Sequence, residues 1–138
     1  MKAQMILGLT IPGSAQYLGV ARRALNCIAA KTSLTSQQVG ELKLAVGEAC
    51  ANAVRYCRPK NSPVALKCIV DSDRIEVLIS NRGASFKLNG WHKAKCPPPS
   101  AEGGRGMFLI NNTVDEWDAK CHSGRTVVRL VKRFHTAN

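Results

Sequence analysis

The stretch from Thr35 to Cys57 limits what this chain can fold into more than any other. Val39, Leu42, Val46, Ala49, Cys50, Ala53, Val54 and Cys57 return every three or four positions, which is one face of a long α-helix. Thr35 followed by Gln38 has the form of a capping box. Pro59 sets the far limit, because its ring excludes the helical backbone before it. A helix with one apolar face needs a second layer to cover it, and the rest of the chain must supply that layer.

Strand patterns do so. A strand is expected over 3–11, ended by Pro12-Gly13, after which Ser14 can cap a helix. Leu18, Ala21, Leu25 and Ile28 place an amphipathic helix up to about Ala30, with Arg22 and Arg23 beside its apolar stripe. Two hairpins follow the long helix, one over 64–70 and 74–80 and one over 114–121 and 125–133. Between them lies an irregular stretch, 82–102, then Gly103-Gly104-Arg105-Gly106 and a short helix over 107–111. A loop of that length inside a compact domain is usually functional. The order β, α, α, ββ, loop, α, ββ implies an α+β fold. It is a two-layer sandwich with a mostly antiparallel mixed sheet and helices on one face.

With 138 residues, one domain is expected. No apolar run approaches the length that spans a bilayer, and 1–8 is too short for a secretory leader. Six cysteines without an export signal, a CxxC pair or zinc spacing read as reduced thiols in a cytoplasmic protein. Cys27, Cys50 and Cys57 are expected on apolar helix faces, as small hydrophobes. The net charge of +11 calls for an acidic partner without saying which. Direct nucleic-acid binding ranks last. Aromatic residues make up only 5%, leaving few stacking platforms, and the basic residues form no single run.

Three motifs can carry chemistry. Glu48 and Asn52, four apart, share a helix face with Glu41 and Arg55, opposite the stripe centred on Val46. That face is a solvated polar surface, or else a carboxylate base beside an oxygen ligand suited to Mg²⁺. Asn81-Arg82-Gly83 closes a strand, either as a turn or as a polar group presented to a base edge. Gly103-Gly104-Arg105-Gly106 opens a helix, either as a hinge or as a phosphate cradle.

In this order and spacing the motifs resemble the GHKL ATPase superfamily, and within it the anti-sigma-factor serine kinases of the RsbW type. The run from Leu42 through Val54 resembles the N box, with Glu48 and Asn52 around three small residues. Asn81-Arg82-Gly83-Ala84-Ser85-Phe86 is similar to the D-x-G-x-S-F box, and 102–110 to the second glycine box. Ser123-Gly124-Arg125-Thr126-Val127 resembles the G-x-T-V of the last hairpin, and 17–22 the start of the first helix. The resemblance implies the Bergerat fold, with ATP and Mg²⁺ as cofactors. Glu48 would be the general base and Asn52 the Mg²⁺ ligand. Asn81 would face the adenine amine, Gly83 would admit the base, and Thr126 would lie beside it. Gly104 and Gly106 would wrap the phosphates, with Gly103, Arg105 and Met107 in the same nucleotide-binding stretch. The lid would be 82–102, and Arg22 would contact partners. It also implies a homodimer that holds a sigma factor inactive. Such a protein phosphorylates a serine on an anti-anti-sigma (STAS-type) antagonist.

One position departs from the pattern. The family's adenine-binding Asp is Asn81 here. An amide oxygen still accepts from an amine but carries no charge. The loss is worth about 1–3 kcal/mol, or roughly tenfold to a hundredfold in ATP affinity. A non-catalytic module that binds a sigma factor or its antagonist is therefore the alternative.

Overall fold

The computed structural model of the chain describes residues 4–83 and 104–134. Strand β1 (Gln4–Gly13) leads through a 3-10 turn (Ala15–Tyr17) into α1 (Leu18–Ala29) and then α2 (Ser36–Tyr56). The first hairpin is β2 (Asn61–Val70) and β3 (Arg74–Arg82). Then come α3 (Gly104–Thr113) and the second hairpin, β4 (Glu116–His122) and β5 (Arg125–Arg133). The five strands form one sheet in the order β1-β2-β3-β5-β4. Every pairing among the described residues is antiparallel.

The long helix forms as its sequence requires. The Thr35 hydroxyl accepts from the Gln38 amide, and the Gln38 side chain accepts from the Thr35 amide. These two reciprocal bonds satisfy donors that a helix start leaves open. Leu42, Ala45, Val46, Ala49, Cys50 and Ala53 are buried against Val64, Leu66, Cys68, Ile75, Val77 and Ile79 of the sheet. These strand residues alternate, as a sheet with one covered face demands. The second hairpin turns on Ser123 and Gly124, both at positive φ (52° and 74°). Two such residues match the right-handed twist of the strands they join.

Several local expectations are corrected. β1 runs on through Pro12 to Gly13, because it is an edge strand and the missing proline N–H costs no ladder bond. Ser14 makes no capping bond, since the 3-10 turn separates it from α1. α3 begins at Gly104 rather than 107 and is 10 residues long. Cys27 is exposed, whereas Cys50 and Cys57 are buried. The buried residues of α1 are Ala21, Leu25 and Ala29, and Cys27 lies off that stripe.

Candidate active site

The polar face expected on α2 is only partly solvated. Asn52 is 6% exposed, whereas Glu48 is half-buried and Arg55 exposed. The covered part of α2 is centred near Ala49 rather than Val46, so Asn52 falls at its margin. α3 packs on α2 and adds a neighbour that the periodicity of one helix cannot reveal. Glu41, on the same face, pairs with Lys132 of β5 at 3.2 Å. Lys132 is 7% exposed and also donates to the Thr113 carbonyl at the end of α3, 2.6 Å away. One buried ammonium thus ties α2, α3 and β5 together.

Glu48 lines a groove between α1 and α2. Leu18, Arg22, Lys43, Leu44 and Ala51 share it. A Cβ at Gly47 would sit 3.8 Å from Cδ of Arg22, an ordinary van der Waals contact. Arg22 is itself exposed. Glu48 thus stands in one groove with two cationic residues, Arg22 and Lys43.

Asn81 and Thr126 are paired across β3 and β5, so their side chains stand side by side on the helix-covered face. Both are fully enclosed, at 2% and 0% exposure. The Asn81 amide nitrogen donates to the Arg82 carbonyl at 2.9 Å, which leaves its oxygen as the acceptor. The Thr126 hydroxyl donates to the Gly83 carbonyl at 2.6 Å, and the Gly83 amide donates to the Gly124 carbonyl at 2.6 Å. Gly83 has φ +117°, and a Cβ there would lie 2.5 Å from the Tyr56 carbonyl oxygen and 3.1 Å from the Arg58 amide. Only glycine lets β3 end against the last turn of α2 in this way.

Two groups in this constellation are absent from the motif reading. Cys121 Sγ lies 3.1 Å from the Thr126 hydroxyl, and Tyr56 supplies the carbonyl that Gly83 meets. Cys121 was accessible from the sequence: a two-residue turn at Ser123-Gly124 makes it the cross-strand partner of Thr126. The role of the Tyr56 backbone was not, because it depends on how α2 lies on the sheet.

Gly104, Arg105, Gly106 and Met107 form the first turn of α3. Gly103 and most of the expected lid, residues 84–102, lie outside the described residues, as does Cys96. The geometry thus brings together Asn81, Gly83 and Thr126. It also sets Glu48 and Asn52 one turn apart on α2, the helix on which α3 packs. Arg22 joins Glu48 in the groove.

The residues present suit a magnesium nucleotide. No group of three or more His, Cys, Asp or Glu side chains among the described residues could hold a metal alone. Mg²⁺ needs no such cage: it binds through one or two protein oxygens, with phosphate and water completing its shell. The enclosed amide oxygen of Asn81 matches an exocyclic amine. The glycine-opened start of α3 presents backbone N–H groups, as an anion requires.

An antiparallel sheet, an E-x-x-x-N helix and a glycine-opened third helix define a class, and residues 11–132 match the family described as histidine kinase-like ATPase domain. The chain belongs to that family. Within it, the chain belongs with serine-protein kinase RsbW. It is 34% identical over 128 residues to the Bacillus subtilis (strain 168) protein, covering 86% of this chain and 80% of that one. The RsbW of Staphylococcus aureus (strain JH9) is 30% identical over 142 residues, covering 94% and 89%. Two solved structures share the fold. The RsbU and RsbW domains of Rv1364c from Mycobacterium tuberculosis match with a TM-score of 0.69 and 14% identity, over 92% of this chain and 32% of that one. The SiaB-SiaC complex from Pseudomonas aeruginosa matches with a TM-score of 0.62 and 13% identity, over 94% and 90%. No helix among the described residues is long and apolar enough to cross a membrane.

Proposed function

We propose that this chain is an ATP-dependent protein-serine kinase that also acts as an anti-sigma factor. It holds a sigma factor inactive and phosphorylates a serine on an anti-anti-sigma antagonist of the STAS type. Residues 1–138 form one such domain, working in the cytoplasm as a homodimer, with 82–102 as its lid. The observation that carries the reading is the placement of Glu48. Its carboxylate is one turn from the enclosed Asn52 and yet lines a groove open to a second protein, beside Arg22 and Lys43. A kinase of proteins needs its base where nucleotide and protein substrate meet.

In this reading Asn52 offers an oxygen to Mg²⁺, and Gly103 together with Gly104, Arg105, Gly106 and Met107 at the start of α3 binds the phosphates. The Asn81 oxygen accepts from the adenine amine, while Gly83 and Thr126 shape the wall beside it. Bound ATP supplies the phosphoryl group. Glu48 accepts the proton of the attacking serine hydroxyl. Arg22 contributes a cation to the partner surface.

The test is incubation with labelled ATP, Mg²⁺ and a candidate antagonist. Glu48→Ala should abolish transfer and leave ATP binding intact, and transfer at the wild-type rate would remove Glu48 from the mechanism. Arg22→Glu should weaken antagonist binding at unchanged ATP affinity, and equal antagonist affinity would reject the Arg22 assignment.

Asn81 favours a second reading, a module that binds the sigma factor or antagonist without phosphorylating it. Calorimetric titration with Mg·ATP separates the two. Absence of binding at millimolar ATP would support the module and exclude the kinase.

A further inference from the structure

A cavity of about 670 Å³ opens where β1 ends and α2 meets β2. Gly13, Ser14 and Ala15 form one wall, Val54, Arg55 and Arg58 a second, and Lys60 and Asn61 the third. Its volume is that of a small-molecule site. It shares no residue with Glu48, Asn52, Asn81, Gly83 or Thr126. It lies at the C-terminal end of α2, beside Val54 and Arg55.

Its lining carries three cationic side chains and no acidic one. None of the three enters an ion pair among the described residues. The acids Asp71, Asp73, Glu76, Asp115 and Glu116 gather at the opposite end of the strands, where β2 turns into β3 and β4 begins. Among the described residues the positive charge around the cavity is therefore not neutralised by an ion pair.

Two of the cations are held in place. Arg58 Nη1 donates to the Cys57 carbonyl at 2.6 Å and to the Arg55 carbonyl at 3.3 Å. These bonds cover the carbonyl end of α2, which would otherwise repel an anion. They leave the remaining guanidinium donors of Arg58 for a ligand. The Arg55 guanidinium carbon sits 6.0 Å from the centre of the Tyr56 ring. Ser14 completes the wall, with a hydroxyl that makes no capping bond. Two guanidinium forks, one ammonium and one hydroxyl suit a group with several acceptor oxygens and two negative charges.

We propose that this cavity is a second anion site, distinct from the nucleotide pocket, that takes a phosphate monoester or free phosphate. The backbone of Arg58 donates to the Arg82 carbonyl at 2.9 Å and lies against Gly83. A ligand drawn to Arg58 therefore bears on the segment that presents Asn81.

The test is amide NMR on the whole chain with the nucleotide pocket filled by Mg²⁺ and a non-hydrolysable ATP analogue. Inorganic phosphate is titrated in one arm and O-phosphoserine in the other, at constant ionic strength. Saturable shifts are expected at the amides of Ser14, Ala15, Lys60 and Asn61. The pair Ser14→Ala/Lys60→Ala should weaken binding at least about tenfold and leave analogue affinity unchanged. Tighter binding of O-phosphoserine would identify a phosphorylated side chain as the source, and equal binding the free ion. Shifts that do not saturate, that are confined to the start of α3, or that persist in the double variant would overturn the proposal. The α3 amides report the nucleotide pocket separately, so failure of the kinase reading would be seen as such.

Discussion

Replacing Gly83 with alanine tests how the end of β3 that carries Asn81 is built against α2. Two costs can be worked out. A φ of +117° is sparsely populated by residues with a Cβ, which costs about 1–3 kcal/mol. The new Cβ would also lie 2.5 Å from the Tyr56 carbonyl oxygen and 3.1 Å from the Arg58 amide, both backbone atoms of the α2 terminus. Neither can rotate away, so β3 and α2 must separate by roughly 1 Å. That movement strains the Thr126–Gly83, Gly83–Gly124 and Arg58–Arg82 hydrogen bonds, each worth about 1 kcal/mol. The expected loss is about 3–4 kcal/mol, large against a total stability of about 5–15 kcal/mol but survivable. Urea unfolding should show a lower midpoint at unchanged slope. Gly124→Ala is the internal control. Its φ is +74° but nothing lies within 4 Å of the added carbon, so only the backbone term applies. Gly8→Ala, at ordinary φ and with equally open space, should be close to neutral. If Gly83→Ala costs no more than Gly124→Ala, the close approach of β3 to α2 is wrong.

Two further outcomes follow from buried groups. Lys132→Met keeps the packing of the side chain but strips the Thr113 carbonyl and the Glu41 carboxylate of their partner. A loss of about 2–3 kcal/mol should appear as a Tm lower by roughly 5–15 °C, and an unchanged Tm would refute the clamp. Burial pushes the Cys50 thiol up to about 12, with Cys68 adding to the shift and Arg22 opposing it, and pushes Cys68 up to about 11. A folded-state value above the ordinary 9.0 means the native state holds these protons longer. Their contribution is whole below pH 9 and is lost as pH rises toward 12. Denaturation midpoints measured across that range should therefore fall less steeply for Cys50→Ala than for the parent chain, and parallel slopes would refute the assignment.

Much of this architecture is legible in local chemistry. The Thr35–Gln38 cap, the stop before Pro59, the alternation in β2 and β3 and the turn at Ser123-Gly124 each depend on neighbours a few positions away. The motif order was legible for the same reason, and it placed Asn81, Gly83 and Thr126 on elements that the sheet register brings together. What escaped depends on contacts distant in sequence. The packing of α3 on α2 joins residues separated by the long connection. The Glu41–Lys132 pair spans most of the chain, so each residue alone reads as an ordinary surface charge. The cavity at Arg58 draws on β1, α2 and β2, and no single stretch announces it.

The sheet order has a consequence for how the molecule comes apart. β3 and β5 each have a strand on both sides, whereas β1 and β4 form the edges. Opening from an edge can release β1 or β4 while β3 and β5 stay joined. The amides around Asn81 and Thr126 should then exchange hydrogen only when the whole domain opens, and those of β1 much sooner. The wall that would meet the base is thus part of the last structure to be lost.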